Sequence, residues 1–109
     1  MFSPDPKKAQ EPVFLNPGKS FVLHLKPWVE PPGRVQGVVE RRTVTGVKAV
    51  RFKALGGELK VAFNYDPHKE HPTAFFQTDS GEYAVDGRHD SICFTATPGG
   101  LTRLYLELA

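Results

Sequence analysis

The stretch DPHKEHP, Asp66 to Pro72, offers the densest group of side chains able to do chemistry. His68 and His71 lie three apart, with Asp66 and Glu70 beside them. His89 and Asp90 add an imidazole and a carboxylate from a later turn. Such groups can bind zinc or nickel where loops converge. The segment reads His-Lys-Glu-His between two prolines, however, so it is not a helical HExxH motif with both imidazoles on one helix face. The expectation is a solvated polar connection with no metal and no cofactor, unless His68, His71 and His89 meet on an ion.

Nucleophilic chemistry has less support. Cys93 sits in Ser91-Ile92-Cys93-Phe94, a strand pattern in which a thiol is a small packing group. Ser80 and Ser91 lack a Gly-x-Ser-x-Gly elbow. The Gly-Gly pairs mark turns rather than a phosphate cradle leading into a helix. No catalytic residue is assigned, and the chain reads as no enzyme. Trp28, beside Pro27, either caps the core or forms an exposed platform for a sugar or other ligand.

The elements that must position these residues are strands. From Ser20 onward the apolar period is close to two, and no window of a dozen residues carries helical spacing free of Pro or Gly. Extended stretches are expected at Ser20–Lys26, Val35–Val44, Val47–Leu55, Glu58–Asn64, Ala74–Thr78, Glu82–Val85, Ser91–Thr97 and Leu101–Leu108. The pair Gly56-Gly57 reads as the tight turn of a hairpin joining two of them. About eight short strands predict an all-β fold, a single jelly-roll-like β-sandwich. The expected core is Phe21, Leu23, Val50, Phe52, Val61, Phe63, Phe76, Val85, Ile92, Phe94, Leu104 and Leu106.

Seven of the ten prolines lie between Pro4 and Pro32. Proline fixes φ and removes a donor, so residues 1–19 are expected to form an extended arm and residues 20–109 the sandwich domain. Within the arm, Val13, Phe14 and Leu15 are the candidate anchor on a neighbouring subunit.

The 109 residues make one domain of near-balanced charge, +2. That total hides a division: residues 34–60 hold seven Lys/Arg and two Asp/Glu, whereas residues 61–90 hold two and six. Arg41, Arg42, Lys48, Arg51 and Lys53 are expected to form a basic face that docks against acid. The acidic half of another copy would use both sides of the asymmetry. Nucleic acid is disfavoured, because stacking platforms need exposed aromatics among the charges, and Phe52 and Phe63 fall on the core face. One cysteine excludes an intrachain disulfide. No apolar run approaches the roughly 20 residues that span a bilayer, and the first residues lack the pattern of a signal peptide. The expectation is no membrane partner and synthesis in the cytoplasm.

The second half carries a further pattern. Val61-Ala62-Phe63-Asn64-Tyr65-Asp66 is followed by Thr73-Ala74-Phe75-Phe76, Ser80-Gly81-Glu82-Tyr83-Ala84-Val85-Asp86-Gly87 and Ser91-Ile92-Cys93-Phe94-Thr95-Ala96. Pro98-Gly99-Gly100-Leu101-Thr102-Arg103-Leu104-Tyr105-Leu106 closes it. Over residues 61–108 this resembles the end of the jelly-roll in small structural proteins of tailed bacteriophages, the capsid decoration and minor virion proteins. The resemblance implies a non-enzymatic virion component made in the host cytoplasm. It would decorate or cement a capsid through contacts with its own copies and with the major capsid or another virion protein. The alternative is a carbohydrate- or ligand-binding β-sandwich with Trp28, or Tyr65 and Tyr83, as platforms.

Overall fold

Alternation of buried with less buried residues along Ala49–Leu55 and Thr102–Leu108 marks two half-buried strands. The computed structural model describes residues 8–9, 12–27, 37–64, 72–97 and 99–109, with side chains for all of these except 8–9 and 72–76. The described residues form ten strands and no helix. They are β1 (Lys8–Ala9), β2 (Val13–Leu15), β3 (Ser20–His24), β4 (Val38–Thr43) and β5 (Ala49–Leu55). After these come β6 (Leu59–Asn64), β7 (Pro72–Thr78), β8 (Ser80–Ala84), β9 (Ser91–Ala96) and β10 (Thr102–Leu108).

The pairing follows one rule. β2 pairs β10, β3 pairs β9, β5 pairs β8 and β6 pairs β7, all antiparallel. The first half of the chain therefore pairs with the second half in reverse order, as one long hairpin. That hairpin is rolled up, so that alternate pairs fall into two sheets. The first runs β1-β10-β5-β8, with β2 also on β10; the second runs β4-β3-β9-β6-β7. This is the jelly-roll arrangement of an all-β sandwich, as expected. β4 is an addition: it lies parallel to β3, with a bulge in the register beside Ser20 and Phe21.

Between the sheets the inward positions close the core. Val13, Leu15, Val50, Phe52, Ala54, Leu104, Leu106 and Leu108 come from the first sheet. Phe21, Leu23, Leu59, Val61, Phe63, Ile92, Phe94 and Ala96 come from the second. The Phe52 ring meets Phe94 edge-on across the gap at 5.1 Å, a favoured aromatic geometry. Gly81 faces Phe52 because a Cβ there would lie 2.7 Å from the ring. The expected core residues are buried, except that Val85 is partly buried against the core and the Phe76 side chain lies outside the described set.

Two expectations need correction. Gly56-Gly57 does not close a hairpin, since β5 and β6 belong to different sheets. The glycines carry the chain between sheets, hard against the start of β10. Gly56 has φ +92°, and its Cβ would stand 2.7 Å from the Leu101 carbonyl oxygen; a Cβ on Gly57 would stand 2.8 Å from Thr102 Oγ1. The second correction concerns the arm. Strands β1 and β2 are part of the first sheet, and Val13 and Leu15 lie in the chain's own core at 6% and 0% exposure. Their alternation with Phe14 is the physical reason: an apolar triplet paired to β10 must turn two side chains one way and the third the other. Val13 and Leu15 are therefore not anchors on a neighbour, and the sandwich begins before residue 20.

Candidate interaction surface

Large apolar side chains that stay in water after folding are the most informative feature of this surface. Among the described residues four stand out: Phe14 at 56%, Leu101 at 51%, Val39 at 50% and Leu55 at 37% exposure. Three of them gather in one place. In the register of the first sheet, Arg103 on β10 lies directly opposite Phe14 on β2 and Leu55 on β5. All three point outward, as the burial patterns of the strands show. Leu101 precedes Arg103 by two residues and extends the row. The result is an exposed arginine with Phe14 and Leu55 as its register neighbours and Leu101 just before its strand, all on the outer side of the sheet. Directly opposed pairs of this kind place Cβ atoms about 5 Å apart, within contact range of such side chains.

Across the next row, Tyr105 faces Lys53, which in turn faces Ser80. In the row after that, Arg51 is flanked by Glu107 and Glu82. Its guanidinium reaches both, at 3.0 Å to Glu107 Oε1 and 2.9 Å to Glu82 Oε2. The hydrogen bond to Glu82, then the charges of Glu82 and Glu107, hold Arg51 even more firmly protonated than usual. Lys53 and Arg103 have no carboxylate partner among the described residues.

This arrangement corrects the expected basic face. Arg51 and Lys53 do share the outer face of the first sheet, and Lys48 is exposed just before β5. Arg41 and Arg42, however, lie on β4 in the other sheet. Arg42 folds back over the Phe21 ring at 5.4 Å and pairs with Glu40 at 2.8 Å. Arg41 lies 3.2 Å from Nε2 of the buried His24. One ion pair crosses the charge division within the chain: Arg51 on β5 meets Glu82 on the neighbouring β8. Every described Asp or Glu already has a partner: Glu40 with Arg42, Glu58 with Gln77, Asp79 with Ser80, Glu82 and Glu107 with Arg51, Asp86 with Arg88, and Asp90 with Lys26.

Of the metal-site candidates, His68 and His71 lie outside the described residues, as do Trp28 and Tyr65. His89 packs with Tyr83 and Phe63, at ring separations of 5.5 and 5.4 Å. The Tyr83 hydroxyl donates to Asp86 Oδ1 at 2.9 Å and lies 2.9 Å from His89 Nδ1. Burial and then the Asp86 hydrogen bond push the Tyr83 phenol up from its usual range. This is a knot that staples the turn after β8, with Tyr83 half-buried and not an open sugar platform. Cys93 is half-buried, 3.8 Å from Thr95 Oγ1. Among the described residues no group of three or more His, Cys, Asp or Glu is placed to hold a metal ion.

No protein-family model matches the sequence. No curated protein matches it either. A solved structure from Bacillus endospore appendages, which form a novel family of disulfide-linked pili, aligns over 100% of this chain and 96% of its own. The identity is 8% and the TM-score 0.33, and at that distance the likeness carries no argument about function.

The sequence pointed to Phe14 as a contact residue and missed Leu55, Leu101 and Arg103. A signal was present: each leucine falls on the polar parity of its strand, beside Arg51 and Lys53 or beside Arg103.

Proposed function

We propose that the chain is a non-enzymatic structural subunit that works by docking the outer face of its first sheet on protein neighbours in a larger assembly. One observation carries this reading: Phe14 and Leu55 stand exposed on either side of Arg103 in the sheet, with exposed Leu101 just before its strand. Aromatic residues and arginine are enriched at the energetic centres of protein interfaces, and clustered exposed apolar groups mark interaction sites.

The finer form of the reading is a virion protein that decorates or cements a tailed-phage capsid. Support for it comes from the strand-and-turn pattern of residues 61–108 and from the jelly-roll pairing that this pattern anticipates. The test is incorporation. Particles purified from producing cells are fractionated by density, and the chain is followed with an antibody. Wild-type protein is expected with assembled particles, and a Phe14→Asp/Leu101→Asp double variant in the free fraction at equal expression. Recovery of the wild type only as free protein, or unchanged incorporation of the variant, overturns the reading.

A further inference from the structure

The outer face of the first sheet divides its charges unevenly, and the division specifies a partner. We infer that Arg103, with Phe14 and Leu55 beside it and Leu101 just before its strand, is a docking centre for a segment of another protein that presents an apolar anchor beside an aspartate or glutamate. The inference rests on the protein-docking reading above and adds the chemistry of the occupant.

Arg103 has exposed apolar residues as its register neighbours and no ion pair with an acid among the described residues. A partner that covers these residues removes water from the guanidinium. An unmatched buried cation is costly, whereas a carboxylate supplied at that moment gains from the lowered dielectric. The apolar group gives affinity and the arginine gives selectivity, since a partner lacking the acid leaves the charge unpaired.

Two other occupants fit less well. A second copy of the chain brings described carboxylates that are already engaged within their own subunit. A nucleic-acid strand needs a continuing track of cations. Here Glu82 and Glu107 stand one row beyond Lys53 and turn a phosphate backbone away.

The test uses the full chain and fluorescent synthetic peptides that alternate leucine with aspartate, asparagine or lysine, read by anisotropy. The aspartate peptide is expected to bind about tenfold tighter than the asparagine peptide, with the lysine peptide weakest. Arg103→Gln is expected to abolish that discrimination, while Arg51→Gln preserves it. Equal binding of all three peptides, or discrimination that survives Arg103→Gln, overturns the inference. Sedimentation showing a dimer that Leu55→Glu dissolves, or Arg103-dependent binding of a labelled oligonucleotide tighter than of the aspartate peptide, overturns it in favour of the other occupants. Undiscriminated peptides with Phe14-dependent incorporation into particles remove this inference alone; loss of that incorporation phenotype removes the docking reading itself.

Discussion

Arg51 and Arg103 stand on the same face of the same sheet, two rows apart, and have opposite surroundings. Arg51 is bracketed by Glu82 and Glu107 on the strands either side of it. Arg103 has Phe14 and Leu55 in those positions. A sheet that needs only solubility and register can use the first arrangement throughout, since cross-strand opposite charges favour correct pairing. The second exposes apolar area beside a cation that has no acid partner among the described residues. On the docking proposal, the contrast separates a region complete in itself from one completed by contact.

The largest effects are expected where the docking end is anchored in the core. Leu15 is fully buried one residue from Phe14, so Leu15→Ala should cost about 2–5 kcal/mol of unfolding free energy in urea titrations. Phe14→Asp should leave stability within about 0.5 kcal/mol, as an exposed substitution, yet abolish docking. If both variants lose stability equally, the exposed side chain is structural and the contrast between the two ends collapses.

Next comes the support beneath Leu101. Gly56→Ala forces a side chain into a left-handed conformation 2.7 Å from the Leu101 carbonyl oxygen. A cost of about 1–3 kcal/mol is expected from the backbone alone. Because the strain is relieved by moving the start of β10, docking should weaken more than stability predicts. Unfolding and peptide binding measured on the same preparation separate the two effects.

Smaller again is the exchange of charges. Arg103→Gln should reduce binding of an acidic–apolar segment about tenfold and leave the thermal midpoint unchanged. Arg51→Gln should barely change either, because exposed ion pairs contribute little. Equal binding losses in the two variants would mean that general positive charge, not the apolar group, directs the contact.

How much of this was legible beforehand follows from what alternation encodes. Period-two patterning names the inward residues, so the core side chains of β5, β9 and β10 could be read from the sequence. It does not say which strand lies beside which. The pair Gly56-Gly57 is compatible with a tight turn, and only the pairing of β5 with β10 and β8 shows that the chain crosses between sheets there. The same ignorance hid the exposed apolar group. Phe14 and Leu55 are far apart in sequence, and the register row through Arg103 brings them together, with Leu101 two residues earlier on the same chain segment. Proline density misdirected the reading of the N-terminal residues, because it describes the backbone between Pro12 and Pro17 but not the fate of the three residues that pair with β10.

The smallest expected effect tests whether the self-complete region extends past β8. Asp86 accepts hydrogen bonds from the Arg88 backbone N–H at 2.9 Å, the Tyr83 hydroxyl at 2.9 Å and Arg88 Nε at 3.0 Å. These bonds, in that order of weight, hold its carboxyl at about 2, below the ordinary 3.8. A carboxylate depressed on folding stabilises the native state above its unfolded value, and that contribution fades as pH falls through the folded one. The thermal midpoint should therefore drop between about pH 4 and pH 2 in the wild type. In Asp86→Asn this part of the drop should be missing, at the expense of a slightly lower midpoint near neutrality. Docking at neutral pH should be the same in both proteins, because Asp86 lies beyond the Arg51 row from Arg103. A loss of docking in Asp86→Asn would show that the turn after β8 and the apolar group act as one unit, and the two regions would no longer be separable.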